Sequence, residues 1–300
     1  MKIKHFFQLI RYKNLLMLTF VQMLFSLVFI YSKYALSSFN FIKLFLLIQT
    51  TVLLAAAGNI INDYFDVETD KINKPNKVLI GKVISGKNSL LLYLILNFFG
   101  LVSGLTLAFI NNKIIYGLLF IVISALLYLY SKDLKKTALL GNLIVSIFIG
   151  LSIYIILIFH PFDNVFFSNI KGIRAYIIIY SLFAFMINFI REMVKDIEDI
   201  NGDYSQNMKT LPIIIGRKRT QNIIFYLSSI PLLSSIVFIS FLENILIGIY
   251  FTLFIIIPLG YFMYQIKEAK HTKTFHKLST LLKIIMLLGI LSIILVVYFT

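Results

Sequence analysis

The segment "IQTTVLLAAAGNII" (residues 48–61), which runs directly into "NDYFDVETDKINKPNK" (residues 62–77), decides the fold class of this chain. Together with the apolar residues that precede it from residue 41, the first part is long enough to cross a hydrocarbon core of ~30 Å as a helix. The second part carries four acidic side chains. Because ionisable groups are costly in the middle of a bilayer, these acids mark the membrane edge. The segment therefore predicts a transmembrane helix that ends in a cluster of carboxylates.

The composition extends this prediction to the whole chain. Of its 300 residues 59% are hydrophobic and 14% are charged, whereas about a quarter of a soluble domain is charged. We therefore expect an all-α, multi-pass membrane protein with nine transmembrane helices. The nine apolar segments lie near residues 14–32, 41–61, 88–110, 114–131, 139–160, 174–190, 221–241, 243–264 and 280–298. The absence of cysteine from the sequence excludes disulfides and thiolate chemistry.

The net charge of +15 predicts topology rather than a nucleic-acid partner. One set of alternate loops holds 23 of the 28 basic residues, which is the positive-inside pattern and places the N-terminus in the cytoplasm. The long connections 62–87 and 191–220 then face the cytoplasm as well. The first apolar segment is long enough to span, so it is interpreted as a membrane anchor rather than a cleaved signal peptide.

Acidic residues are concentrated after two of the nine segments. Nine of the thirteen follow the second and the sixth segment. The sequences beyond them are alike, "NKPNKVLIGK" (73–82) and "NMKTLPIIIGRK" (207–218). This similarity predicts one membrane domain (1–300) of two four-helix halves, about 14–131 and 139–264, with a ninth helix at about 280–298. Such repeats usually place a site between the halves.

The spacing within each cluster puts its carboxylates on one helical face. Asn62, Asp66 and Asp70 follow an i, i+4, i+8 pattern. Asp196, Asp199 and Asp203 are three and four residues apart. A solvated helix end would explain either cluster alone, but two matching faces flanked by lysines favour a cation that bridges the carboxylates to an anion. Mg²⁺ binds through one or two carboxylates together with phosphate oxygens, so the pattern indicates a diphosphate ligand.

The same residues resemble the UbiA family of intramembrane prenyltransferases over nearly the whole chain. The family's first motif, Asn-x3-Asp-x3-Asp, is met by Asn62, Asp66 and Asp70 and continues into "DKINKPNK". The second motif is met by "REMVKDIEDINGD" (191–203), followed by "TLPIIIG". The family's Tyr/Lys element after the fourth span is supplied by "LYLYSKDLKKTALLGN". There, Tyr128 and Lys132 fit one register, and another register nominates Lys135 or Lys136.

This resemblance implies nine helices around a central cavity and Mg²⁺-dependent transfer of a polyprenyl group from a prenyl diphosphate donor. It implies five metal ligands with a catalytic role: Asp66, Asp70, Asp196, Asp199 and Asp203. It also implies a set of substrate-binding residues: Asn62, Lys74, Lys77, Tyr128, Lys132, Lys135, Arg191, Lys195 and Lys209. An apolar chamber in the membrane would keep the allylic cation from water.

The metal motifs are shared by branches of the family that differ in their acceptor. The two motifs most resemble the branch of the family that alkylates geranylgeranylglyceryl phosphate in the cell membrane, a lipid acceptor held at the cytoplasmic side. Aromatic quinone precursors of the hydroxybenzoate or dihydroxynaphthoate type, and haem, are alternative acceptors. A cation transporter or a non-catalytic prenyl-lipid binder is the alternative of another class. The sparse polar residues within the spans argue against transport.

Overall fold

A computed structural model describes residues 3–31, 41–76, 78–159, 167–241 and 244–299, with side chains at 28–31 and 167–173 left out of the description. Within these ranges the regular structure is helical, apart from two isolated bridges that pair Ile80 with Ile84 and Thr137 with Lys209. The all-α prediction is confirmed. Helices are expected because no water is present in a bilayer to satisfy backbone N–H and C=O groups, and a helix satisfies them internally.

Seven long helices lie before residue 241: α2 (Tyr12–Tyr31), α3 (Phe41–Phe65), α5 (Gly86–Ile110), α6 (Gly117–Lys132), α7 (Leu140–Phe159), α8 (Phe167–Glu198) and α11 (Arg217–Ser240). The last part contains α12 (Ile245–Phe251), a π-helical turn (Thr252–Ile256), α13 (Ile257–Glu268) and α14 (Thr272–Phe299). Short helices lie between them: α1 (Ile3–Leu9), α4 (Val67–Asn73), α9 (Ile200–Ser205) and α10 (Leu211–Ile215). Single 3₁₀ turns occur at Ile114–Tyr116 and Leu134–Lys136.

Eight helical stretches in the described part of the chain are long and apolar enough to cross a membrane, so the protein is a multi-pass membrane protein. They correspond to the second through ninth segments predicted from the sequence. The first predicted segment coincides with α2 as far as Tyr31, and its last position lies outside the described residues. The ninth crossing therefore stays a prediction. The sixth span differs in length, because α8 continues to Glu198 and so carries Asp196 of the second acidic cluster.

The chain forms two compact units, one of residues 1–135 with 152–174 and one of residues 136–151 with 175–300. In the first unit, Gly104 of α5 lies against Phe120 of α6 and Thr50 of α3, where a Cβ atom would overlap both side chains. In the second unit, the hydroxyls of Tyr180 and Ser292 join α8 to α14 at 2.6 Å. One boundary between the units falls inside α7, whereas the sequence placed the boundary of its two halves before this helix; the division into four-helix halves stays a prediction.

Candidate functional site

The two acidic segments have similar local backbone conformations. Asp66 lies between α3 and α4 with φ −92° and ψ 2°, and Asp199 lies between α8 and α9 with φ −95° and ψ 6°. Despite this break, the N–H of Asp66 donates to the carbonyl of Asn62 at 2.9 Å, and the N–H of Asp70 donates to that of Asp66 at 2.8 Å. The helical i, i+4 register thus continues through the first motif, as its spacing predicted.

The second motif repeats this pattern of backbone bonds. The N–H of Asp199 donates to the carbonyl of Lys195 at 2.8 Å, and the N–H of Asp203 donates to that of Asp199 at 3.2 Å. The glycines of the two similar downstream segments, Gly81 and Gly216, both have φ 87°. Side-chain-bearing residues rarely adopt this conformation. The local likeness of the two segments therefore extends from sequence to backbone geometry.

Asp66 is the centre of the first cluster. Lys135 Nζ lies 2.5 Å from Asp66 Oδ1, and the two side chains are only 10% and 17% exposed respectively. Asn62 Nδ2 donates to Asp66 Oδ2 at 2.8 Å, and Lys135 Nζ donates to Asn62 Oδ1 at 3.3 Å. The three side chains therefore form a closed triangle of charge-assisted hydrogen bonds, which are the stronger kind.

Asp70 lies one helical turn beyond Asp66. Burial raises the pKa of the Asp70 carboxyl, the negative charge of Asp66 raises it further, and the nearby Lys74 charge opposes both effects. Burial likewise lowers the pKa of the Lys135 ammonium, and the Asp66 charge opposes this. Since a second cation beside these carboxylates would favour their charged forms, the pair Asp66 and Asp70 fits a metal ion.

The other two acids of this segment have partners of their own. Asp63 Oδ1 lies 2.6 Å from Arg11 Nη2, and Glu68 pairs with Lys71 at 2.6 Å on an exposed surface. Asp63 and Glu68 are thus each held in an ion pair outside the triangle of Asp66, Asn62 and Lys135.

In the second cluster, Asp196 is held by a buried polar network. Asn142 Nδ2 of α7 donates to Asp196 Oδ2 at 2.8 Å. The Ser146 hydroxyl donates to the Asn142 carbonyl at 2.5 Å and accepts from Asn188 Nδ2 at 3.2 Å. Asn142, Ser146 and Asn188 are 7%, 0% and 3% exposed, and Asp203 is 8% exposed. Asp196 itself is half-buried, and the buried Asn142 donor fixes the orientation of its side chain.

The predicted cationic residues occupy different environments. Lys135 contacts the first cluster, whereas Lys132 is exposed at the end of α6. Arg191 Nη1 and Lys195 Nζ both pair with Glu192, at 2.7 Å and 3.0 Å.

Two more of the predicted residues have contacts in the structure, and a third lies outside the described residues. Lys209 is exposed, and its N–H donates to the Lys136 carbonyl at 2.7 Å. The Tyr128 ring packs edge to face against the Phe65 ring, with 5.9 Å between the ring centroids. Phe65 directly precedes Asp66 in the chain. Lys77 lies outside the described residues.

Sequence reasoning did not assign roles to the residues that support the clusters. Asn142 lies in the fifth predicted apolar segment. It contacts Asp196, which is 54 positions away in the sequence, so local spacing gives no sign of the contact. A separate polar network joins α6 to α5 in the first unit, where Ser124 donates to Asn97 at 2.8 Å and Asn97 donates to the Tyr93 hydroxyl at 3.3 Å. The available signal was a polar residue inside an apolar segment, which is costly unless it has a partner.

Among the described residues, no three or more Asp, Glu, His or Cys side chains converge closely enough to hold a metal ion by themselves. Each cluster thus offers an incomplete ligand set. Mg²⁺ accepts such a set, because it keeps several waters and binds through one or two carboxylates plus substrate phosphates. The donor set therefore fits Mg²⁺ bound together with a phosphate-bearing substrate.

Comparison with known proteins decides the family. The family model described as UbiA prenyltransferase matches residues 23–288. The chain belongs to the UbiA prenyltransferase family. This membership confirms the resemblance that the two aspartate motifs carry.

Relatives within the UbiA family cover most of the chain. Digeranylgeranylglyceryl phosphate synthase of Korarchaeum cryptofilum is 34% identical over 81% of this chain and 82% of its own. The synthase of the same name from Sulfurisphaera tokodaii is 36% identical over 80% of this chain and 82% of its own. These UbiA relatives are therefore similar along the helices and across both motifs rather than in one segment.

Two solved structures share the fold. One from work on digeranylgeranylglyceryl phosphate synthase in membranes has a TM-score of 0.66 at 26% identity and covers 98% of this chain and 97% of that one. A UbiA homologue from Archaeoglobus fulgidus, solved with GPP and Mg²⁺, has a TM-score of 0.62 at 16% identity and covers 96% and 99%. At that identity the second comparison supports the fold alone.

Proposed function

We propose that this UbiA-family protein transfers a geranylgeranyl group from its diphosphate to geranylgeranylglyceryl phosphate, with Mg²⁺ as cofactor. The observation that carries the proposal is the triangle of Asp66, Asn62 and Lys135, with Asp70 one turn away. It offers carboxylates for a cation and an ammonium for phosphate at one place. Relatives that are 34% and 36% identical and carry the name digeranylgeranylglyceryl phosphate synthase support the choice of acceptor.

In the proposed reaction the bond between C1 of the donor and its diphosphate oxygen breaks, and the acceptor hydroxyl oxygen bonds to C1. Inorganic diphosphate departs with the electron pair of the broken bond and takes up the hydroxyl proton, so atoms and charge balance. Asp66 and Asp70 would hold Mg²⁺, as would Asp196, Asp199 and Asp203. Bound Mg²⁺ would neutralise the charge that develops on the leaving oxygen.

Two asparagines hold carboxylates of the clusters in a fixed orientation. Asn62 fixes the orientation of Asp66, and Asn142 does the same for Asp196. Lys135 would neutralise part of the diphosphate charge. Its ammonium lies beside Asp66, the proposed metal ligand, and is largely shielded from solvent, so it could donate a charge-assisted hydrogen bond to a phosphate bound there.

We include the other cationic residues as candidate diphosphate contacts, namely Lys74, Lys77, Lys132, Arg191, Lys195 and Lys209. Tyr128 is included as a wall of the donor site. Its ring lies against Phe65, which directly precedes Asp66, and an aromatic face stabilises a nearby cation.

The proposal includes a topology. Nine helices would cross the plasma membrane with the N-terminus in the cytoplasm and both acidic clusters at the cytoplasmic surface. The support is the 23 basic residues in one set of alternate loops, since positive loops stay on the cytoplasmic side. The donor would thus reach the protein from the cytoplasm, and a lipid acceptor from the bilayer.

The test is an assay of membranes that contain the protein with prenyl diphosphates of several lengths and three acceptor classes: geranylgeranylglyceryl phosphate, aromatic quinone precursors and haem. Mass spectrometry identifies the product. Asp66→Ala and Asp199→Ala should lose transfer while the protein remains folded. Glu68→Ala is the matched control, because Glu68 is exposed and pairs only locally with Lys71. Full activity of both aspartate variants would reject the assignment of the clusters, and alkylation of another acceptor alone would reject the ether-lipid product.

A further inference from the structure

A dense group of basic residues lies where α11 begins and where α13 connects to α14. Seven Lys and Arg side chains and a single acid, Glu268, lie within residues 217–219 and 267–277. All seven basic residues are exposed, and both segments belong to the second unit. We call this surface the basic corner: Arg217, Lys218, Arg219, Lys267, Lys270, Lys273 and Lys277. None of these residues is among the proposed ligands of Mg²⁺ or diphosphate.

A buried glutamine joins the two segments of the basic corner. Gln221 of α11 is only 2% exposed, and its Nε2 donates to the carbonyls of Ile266 and Ala269 at 2.8 Å and 2.7 Å. The last carbonyls of a helix lack partners within that helix, so Gln221 satisfies the end of α13. Because a buried donor is costly to leave without a partner, this contact fixes the start of α11 against the end of α13.

Two of the cations repeat this contact at the surface. Lys218 Nζ donates to the Lys267 carbonyl at 2.8 Å, and Arg217 Nη1 donates to the Lys270 carbonyl at 3.2 Å. The Arg217 guanidinium also lies 5.8 Å from the centre of the buried Phe275 ring of α14. The positive-inside pattern accounts for basic residues on one side of a membrane but not for contacts that hold them together on one surface.

Four cations of the basic corner are available to a ligand. Among the residues that the structure describes, they have no side-chain partner: Arg219, Lys270, Lys273 and Lys277. Lys273 and Lys277 lie one turn apart on α14, where like charges repel each other. An anion between them would remove this repulsion. The unbalanced charge of the basic corner therefore suits an anionic ligand.

The basic corner lies at the edge of the membrane. On α11, exposed apolar side chains recur every three or four residues after Arg219: Ile223, Tyr226, Ile230, Leu233 and Val237. On α14, Ile284 is exposed two turns after Lys277, which is roughly 10 Å along the helix. Both helices are candidate membrane spans, so the cations lie at the polar end of apolar outer faces. Lipid headgroups occupy this depth, since they add roughly 5–8 Å to each side of the hydrocarbon core.

The outer face of α14 differs from the side that meets α8. His276 marks the side toward α8, because its Nδ1 lies 2.9 Å from Glu198 Oε1 at the end of that helix. Lys277 follows His276 and is turned by roughly 100° from it around the helix axis. Lys277 is therefore directed to a different side of α14 from the segment that carries Asp196 and Asp199.

We propose that the basic corner binds the phosphate groups of anionic phospholipids in the adjoining leaflet. These lipids bring negative charge to the surface at the depth of the cations, and clusters of Lys and Arg beside a span are attracted to them. Ammonium and guanidinium groups also donate charge-assisted hydrogen bonds to phosphate oxygens. The binding depends on the charges of the basic corner alone, so it is independent of the proposed transfer reaction.

The experiment measures the headgroup preference of the full-length protein. The protein is equilibrated in detergent micelles that contain equal amounts of phosphatidylglycerol and phosphatidylcholine, and native mass spectrometry counts the lipids of each kind that stay bound. Phosphatidylglycerol has a net negative charge, whereas phosphatidylcholine carries its phosphate beside a quaternary ammonium. We expect phosphatidylglycerol to be preferred, and this preference to weaken as the salt concentration is raised.

The double variant Lys273→Gln with Lys277→Gln should lower this preference more than tenfold, because each basic residue near an anionic surface contributes a factor of roughly five. Lys4→Gln with Lys87→Gln is the matched control. It removes two exposed lysines of the first unit and changes the net charge equally. The control should stay within about twofold of the wild type.

An unchanged preference in the folded Lys273→Gln with Lys277→Gln variant would overturn the proposal. An equal fall in the test and control variants would also overturn it, because the attraction would then come from the net charge of the protein rather than from the basic corner. The unfolding temperature of each variant checks that the fold is retained.

Two competition experiments identify the source of the phosphate. Inorganic phosphate at constant ionic strength should not displace phosphatidylglycerol, and neither should excess geranylgeranyl diphosphate. Displacement by the first would assign the basic corner to a soluble anion, and displacement by the second would assign it to a substrate; either result would overturn the lipid proposal. Prenyl transfer is measured separately on the same protein, and its absence would bear on the proposed function alone.

Discussion

Replacing Lys135 with methionine should impair prenyl transfer far more than the same change at an exposed lysine outside the proposed site. Lys135 Nζ lies 2.5 Å from Asp66 Oδ1 and 3.3 Å from Asn62 Oδ1, and its side chain is 10% exposed. Methionine keeps most of the length and apolar character of the side chain and removes the charge. The exposed Lys71, which pairs with Glu68 on the surface, is the control.

The expected loss of kcat/KM follows from the largely buried ion pair of Lys135 and Asp66. A hydrogen bond to a charged group contributes ~1.5–3 kcal/mol. If about 2–3 kcal/mol of this acts on the transition state, kcat/KM falls roughly 30- to 160-fold, since each 1.36 kcal/mol is tenfold.

The assay is the initial rate of diphosphate release across a range of donor and Mg²⁺ concentrations. If Lys135 contacts the diphosphate, excess Mg²⁺ should not restore the rate of Lys135→Met. Lys71→Met should stay within about twofold of wild type, as surface changes usually do. Equal rates for both variants would refute the role of Lys135. Restoration by Mg²⁺ alone would show that the lysine only positions Asp66.

Two further predictions concern residues that support the fold and the second cluster. Asn142→Leu should leave Asp196 without its 2.8 Å donor, at a cost of ~1–3 kcal/mol, and should raise the Mg²⁺ concentration needed for half-maximal activity; an unchanged Mg²⁺ response would contradict this. Gly104→Ala places a Cβ atom into Phe120 and should destabilise the fold by ~1–3 kcal/mol, seen as a lower unfolding temperature in detergent. Gly260→Ala meets nothing within 4 Å and should change it little.

The fold class could be read from the sequence because bilayer physics leaves few choices. Apolar segments of this length in a membrane protein must be helices, and each of the described spans overlaps its predicted segment, although α8 and α14 begin seven and eight residues earlier. The π-helical turn at Thr252–Ile256 could not be predicted, since its residues are as apolar as the rest of that span. The end of α8 was also placed too early, because the charged residues after residue 190 lie on the same helix.

The site was predictable where it depends on local periodicity and not where it depends on tertiary contacts. The i, i+4 register of Asn62, Asp66 and Asp70 is a property of one helix, and the backbone hydrogen bonds show it. The choice among Lys132, Lys135 and Lys136 was open, because α6 ends at Lys132 and a 3₁₀ turn over Leu134–Lys136 resets the helical phase. The contact of Asn142 with Asp196 likewise depends on how α7 packs against α8.

The most direct test of the central claim is the product formed from geranylgeranyl diphosphate and geranylgeranylglyceryl phosphate in membranes that contain the protein. With Mg²⁺ present, we expect one ether-linked product and one equivalent of inorganic diphosphate, and both should disappear on chelation of the metal and in Asp66→Ala. Folded wild-type protein that releases no diphosphate from any prenyl diphosphate, with Mg²⁺ and acceptor in excess, would contradict the assignment.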